Sequence, residues 1–110
     1  MPKPDSLQGS LDLLILKILH RRPGLHGYAL MLAIKEFSND VLRVEEGSLY
    51  PALHRLEMDG SIKAAWITRE DTGRRARIYE VTPRGRKQLA AEESRWQSVT
   101  GAVNRVLRMA

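Results

Sequence analysis

Leucine and isoleucine recur at helical spacing between Ser6 and His20, at Leu7, Leu11, Leu14, Ile15, Ile18 and Leu19. Residues three, four and seven apart share one side of a helix, so this stretch predicts an amphipathic helix with a buried stripe. Pro23-Gly24 ends it, because proline and glycine cannot extend a helix at low cost. The preceding MPKPDS carries two prolines and reads as a loose arm. A second helix is predicted from Gly27, with Tyr28 and Leu32, and Ala29 and Ile34, on neighbouring turns. Phe37 closes it before the turn cluster Ser38-Asn39-Asp40. A third helix starts at Gly47-Ser48 and stops at Gly60. Its Leu49, Leu53 and Leu56 form one apolar stripe.

After Gly60 the period changes to two. IKAAWITRE sets Trp66 and Thr68 on one face and Ile67 and Arg69 on the other. RARIYEVT sets Tyr79 and Val81 on one face. DTG between them is a turn signal, so the pair predicts a β-hairpin, with Trp66 as a core residue of its first strand. Pro83 opens a last helix, where proline is tolerated in the first turn, and that helix runs to the C-terminus. The order helix, helix, helix, hairpin, long helix is the outline of a winged helix-turn-helix. The expected fold is mainly α with a small β-hairpin. Residues 1–82 form the winged unit and 83–110 a long C-terminal dimerisation helix, together one compact unit.

Composition narrows the function. The 110 residues suffice for one domain with a real core. Lys and Arg number 18 against 13 Asp and Glu, a formal charge of +5, which suits a polyanionic partner such as nucleic acid. There is no cysteine, so disulfides, thiol catalysis and cysteine-held zinc are absent, and the chain suits a reducing cytoplasm. The apolar run Leu13 to Leu16 falls short of the ~20 residues a membrane span needs. Asp12 and Lys17 flank it, and no small-residue cleavage site follows, so it reads as a core helix and not as a signal peptide.

The third helix, GSLYPALHRL, carries candidate chemistry. With the leucines turned inward, Pro51, His54, Arg55 and Met58 point away and Tyr50 lies at the margin. Ser48 can serve as N-cap, which puts Pro51 in the first turn, where its missing N–H costs little. Hydroxyls from Ser48 and Tyr50 and donors from His54 and Arg55 then stand where a recognition helix meets base edges in the major groove. The plainer reading leaves His54 and Arg55 solvated and packs Tyr50 on a neighbouring helix. GRRAR places Arg74, Arg75 and Arg77 beside Gly73 at the hairpin turn. Such a loop can straddle a phosphate backbone or enter a minor groove. A solvated charge run is the alternative, and the order of recognition helix then basic tip favours DNA. Arg84, Arg86 and Lys87 extend the basic stretch or are plain surface.

In the last helix, Leu89, Trp96 and Val103 are seven apart, and Glu92, Val99 and Val106 interleave with them. This is an a/d seam with Glu92 as its polar position, too short for a coiled coil standing alone. It predicts a dimer interface through Leu89, Trp96, Val99, Val103 and Val106. A helix folded back on its own domain is the alternative, and a chain this small has little core to spare for it.

LQGSLDLLILKIL, LHGYAL, GSLYPALHRLEMDG and GRRARIYEVTPRG, in that order and spacing, resemble the motifs of the PadR family of bacterial transcriptional regulators, in its short members. The likeness runs from about Leu7 into the last helix. Ala29 departs from it where an acidic residue is common, with no functional consequence expected. The resemblance implies a homodimer that binds a pseudo-palindromic operator and usually represses. It assigns Ser48, Tyr50 and Pro51 to the recognition helix, Tyr28 to a phosphate contact at the start of the second helix, and Gly73, Arg74 and Arg75 to the wing tip. No cofactor is implied. In related short members an apolar pore between the last helices binds flat drugs or phenolic compounds. Trp96 either lines such a pore or is interface packing.

Two other function classes compete. For an enzyme, His20, His26 and His54 are scattered without metal-ligand spacing, and no phosphate loop is present. The adjacent pairs Glu45-Glu46 and Glu92-Glu93 do not face each other on a helix. A sequence-independent nucleic-acid binder, or a winged module for protein interaction, is the second class. Against RNA, the aromatics are not laid out on a strand face for base stacking.

Overall fold

The computed structural model describes residues 4–109, with side chains from residue 10 onward. The arm expected at residues 1–3 and the side chain of Leu7 lie outside the described residues. Helix α1 (Pro4–Arg21) is followed by a short strand β1 (Leu25–His26), helices α2 (Gly27–Phe37) and α3 (Glu46–Met58), strands β2 (Ile62–Thr68) and β3 (Arg75–Val81), and helix α4 (Pro83–Leu107). The fold is a winged helix, mostly helical, with a three-stranded antiparallel sheet in the order β1-β3-β2. Helix α1 starts at Pro4, inside the stretch expected to be a loose arm, because proline fits the first helical position.

The core gathers Leu11, Ile15, Leu16 and Leu19 of α1, Leu30 and Ile34 of α2, and Leu49, Leu53 and Leu56 of α3. Ile62, Tyr79 and Leu89 close it from the sheet and from α4. Helix α2 turns a different face inward from the one its pattern suggests. Gly27, Leu30, Ala33 and Ile34 are buried, whereas Tyr28 and Leu32 face solvent. Its start explains the rotation: His26 is the N-cap, and its Nδ1 accepts from the Ala29 N–H at 3.2 Å. The same His26 and Leu25 pair with Ile78 and Tyr79 of β3. This edge pairing has no counterpart in the hairpin expected from the sequence. After α2, Asn39 and Asp40 adopt positive φ, the left-handed turn that the Ser38-Asn39-Asp40 cluster promises.

In the hairpin, Ile62, Ala64, Trp66 and Thr68 share a face with Val81, Tyr79, Arg77 and Arg75. That face is core only near its base. Ile62 and Tyr79 are buried, but Trp66 is 56% exposed, so the expectation of a core tryptophan is corrected. By the register Trp66–Arg77 the hairpin has run past the helices that cover its base.

Helix α4 is fastened to the end of α3. Gly60, at φ +77°, turns the chain out of α3. The next carbonyl, Ser61, accepts the Thr82 N–H at 3.0 Å and the Thr82 hydroxyl at 3.1 Å. Thr82 also caps α4 by accepting from the Gly85 N–H at 3.1 Å. Ser61 Oγ donates to Gln88 Oε1 at 2.5 Å. From this junction α4 runs against α1 as far as Glu93 and then projects from the body, and the chain measures 59 × 29 × 23 Å. Among the described residues no helix is long and apolar enough to cross a membrane.

A side chain at position 85 would overlap the Ser61 carbonyl, which is backbone and cannot turn aside. Gly85→Ala is therefore expected to cost about 1–3 kcal/mol, in the range of overpacked cores. A fall in the urea midpoint at unchanged slope would register it. An unchanged midpoint would mean that the α3–α4 junction gives way easily.

Candidate nucleic-acid interface

Helix α3 begins at Glu46 with Glu45 as its N-cap residue, so Ser48 is not the cap. The Glu45 carbonyl accepts from the N–H groups of Ser48 and Leu49 at 3.0 and 2.9 Å. The earlier start moves Pro51 from the first turn to the second. Lacking an N–H, Pro51 gives the Gly47 carbonyl no helical donor. Ser48, Pro51, His54 and Met58 are exposed, opposite the buried Leu49, Ala52, Leu53 and Leu56.

Tyr50 does two things at once. Its ring lies on Gly27, where an added methyl would stand 2.7–2.9 Å from the phenol. The packing reading therefore holds for this residue, and a side chain at position 27 would have to push the phenol aside. Yet Tyr50 remains 45% exposed, beside the exposed Tyr28. Arg55 is turned away from the open side of α3. Its Nη2 donates to Asp12 of α1 at 3.2 Å, and both groups are half-buried. Burial pushes the Asp12 carboxyl up, and the Arg55 charge and hydrogen bond only partly reverse this.

The wing tip is a tight turn. Gly73 takes φ +68°, a left-handed value that glycine adopts without strain. The Gly73 N–H donates to the Arg69 carbonyl, and the Arg69 N–H to the Arg74 carbonyl, both at 2.8 Å. Arg69 holds Asp71 with two hydrogen bonds of 3.1 and 2.7 Å, and this holds the Asp71 carboxyl below its usual range. Arg77 donates to Glu57 of α3 at 2.6 Å. Arg75 lies over the Trp66 ring.

Between the start of α2, α3 and the wing lies an open cleft of about 440 Å³. Tyr28, Tyr50, Arg74, Arg75 and Arg77 of the expected DNA-contacting set line it, with Trp66. Tyr79 also borders the cleft, and burial pushes its phenol up. Ser48, Pro51 and His54 stand on the exposed side of α3, and Gly73 at the wing tip. Two features had no sequence expectation, the Glu57–Arg77 pair and Gly27 beneath Tyr50, and the exposure of Trp66 reverses its expected burial. Of the two, only Gly27 had a local signal, in the Gly27-Tyr28 start of α2.

In α4, Leu89 is buried in the core of its own chain, so its expected place in a dimer seam is corrected. Lys17 of α1 pairs with Glu93 at 3.1 Å, and Gln88 donates to Glu92 at 3.1 Å. From there outward, Trp96, Val99, Val103 and Val106 are all at least half exposed and form one continuous stripe.

The Asp12–Arg55 pair generates a prediction with a definite sign. A carboxyl whose pKa rises on folding holds its proton more tightly in the folded chain than in the unfolded one. Its contribution to stability is therefore greatest at low pH and is lost as pH rises through the folded value. Asp12→Asn is expected to remove this acid-range dependence and to leave Arg55 free to turn outward, with DNA affinity rising several-fold. Urea unfolding across pH 3–7, paired with duplex titration, checks both. A mutant that loses DNA affinity would mean that Arg55 acts where it is, on Asp12.

Residues 15–91 match the sequence model of the family described as transcriptional regulator PadR-like. Transcriptional regulator Rv3488 of Mycobacterium tuberculosis is 43% identical over 58 residues, 53% of this chain and 52% of that protein. A transcriptional regulator from Clostridium thermocellum superimposes with a TM-score of 0.81 at 27% identity, covering 96% of this chain and 97% of the other. A PadR-like transcriptional regulator from Bacillus cereus also superimposes at 0.81 and 27% identity, covering 96% and 99%.

Proposed function

This chain belongs to the PadR-like family of transcriptional regulators and is a DNA-binding regulator, and from that premise we propose that it works as a homodimeric repressor released from its operator by a small molecule. The observation that carries the reading is the convergence on one cleft of Tyr28, Tyr50, Arg74 and Arg75, beside the exposed Ser48, Pro51 and His54 of α3. Helix α3 enters the major groove with Ser48, Tyr50 and Pro51 leading and His54 behind them. Arg74 and Arg75, at the Gly73 turn, take the flanking phosphates, and Tyr28 takes a phosphate at the start of α2. Arg55 reaches the bases once it leaves Asp12.

Residues 1–82 act as the reading unit and 83–110 as the pairing helix. The stripe Trp96, Val99, Val103 and Val106 packs against the same stripe of a second copy. A two-fold dimer matches a pseudo-palindromic operator with half-sites about 34 Å apart. An operator held in this way blocks transcription. A flat apolar or phenolic molecule between the paired helices, against Trp96, shifts them and releases the DNA. The cytoplasm is where such a regulator meets its DNA.

Fluorescence anisotropy on the duplex upstream of its own gene and on a scrambled duplex tests this. Selectivity of about 10³-fold or more, at two chains per site, is expected of a specific regulator. Equal affinity for both duplexes would favour a backbone binder. Arg74→Ala should weaken binding to both duplexes and lower the salt slope by about one. Val99→Glu should give a monomer in sedimentation and abolish operator binding, whereas an intact dimer would remove the seam.

A further inference from the structure

Glu57, Arg77, Trp66 and Arg75 form one array running from the recognition helix to the wing. Arg77 Nη2 donates to Glu57 at 2.6 Å. Arg77 lies opposite Trp66 in the strand register, its guanidinium 5.6 Å from the ring centroid. The Arg75 guanidinium lies 4.8 Å from the same centroid. Trp66, Arg75 and Arg77 share one face of the hairpin, the face that is core at its base and solvent here.

Both arginines lie over the indole, but only Arg77 is also held by a carboxylate. A carboxylate takes up a guanidinium's charge, so Arg77 has little left to offer a phosphate. An aromatic face holds a guanidinium without neutralising it and leaves its N–H edge free. Arg75 is therefore placed by the ring, and no ion pair engages its guanidinium among the described residues. An arginine ordered before binding loses less side-chain freedom when it meets its phosphate. This also accounts for a large indole left half in water, where it fills no core.

We infer that Trp66 is a positioning residue for DNA binding. It presents Arg75 to the phosphate backbone, while Glu57–Arg77 acts as a strut that sets the wing against α3. Arg77, expected from the sequence to touch DNA, is then part of the strut. The inference rests on the wing reading of the proposed function.

The test uses the full-length chain and a mixed-sequence 30-base-pair duplex, titrated by anisotropy over a salt series. No operator need be known, because the backbone contact is sequence-independent. Trp66→Ala and Arg75→Ala should each weaken binding about five-fold, the scale of one aromatic-held cation. The double variant should be no weaker than Arg75→Ala alone. Trp66→Phe should restore most of the affinity, which separates the role from a folding defect. Arg77→Gln should weaken binding at an unchanged salt slope, whereas Arg75→Ala should lower the slope by about one. Additive losses from Trp66→Ala and Arg75→Ala, or a lowered slope for Arg77→Gln, would overturn the inference. Failure of the unaltered chain to bind duplex even at low salt would sink the wing reading itself, and this inference with it.

Discussion

The Ser61 carbonyl ties the end of one helix to the start of another. It takes two hydrogen bonds from Thr82 and is roofed by Gly85, whose lack of a side chain lets α4 lie directly on it. Everything outside the core takes its direction from this point. Toward the N-terminal side, the junction anchors α3, and with it the exposed row of Ser48, Pro51 and His54. Toward the C-terminal side, it aims α4 out of the body so that Trp96 and the three valines project beyond it. Between the two runs the hairpin, whose strands both begin or end beside the same carbonyl. A shift of α4 cannot be absorbed locally, because the contact at Gly85 is backbone on backbone. It must be passed to α3 or to the wing.

The helices were legible because each has a repeated apolar stripe that one covering layer buries. Leu49, Leu53 and Leu56 could face only inward, and they do. Strand β1 was not legible, because a two-residue Leu25-His26 segment has no period and exists only through its pairing with β3. Trp66 misled by residue type. A tryptophan on an alternating strand resembles core, and nothing local tells where the hairpin outruns the helices covering it. Leu89 misled by position. It continues the same seven-residue stripe as Trp96, but the Ser61 tether holds that turn of α4 against its own domain. A heptad pattern states which face is apolar and not what covers it.

The basic balance of the chain is also more selective than a net charge suggests. Arg55, Arg69 and Arg77 are each held by a carboxylate, on α1, within the wing turn and on α3 respectively. These pairs fix geometry and subtract from the field. The candidate site was visible in outline from GRRAR and GSLYPALHRL. The division of labour among their cations was not, because Glu57 and Arg77, and Asp12 and Arg55, are far apart along the chain and meet only in the fold.

The chain has two tryptophans, Trp66 on the wing and Trp96 on the outer stripe of α4, each about half exposed. One indole lies against two guanidinium groups, and the other shares a half-exposed helix stripe with three valines. Their light emission therefore originates in two different surroundings, one beside guanidinium groups and one without them. The molecule carries its own pair of optical labels, one on the wing and one on the outer stripe of α4. Replacing either tryptophan by phenylalanine leaves a single-colour view of the other surface, with no dye attached.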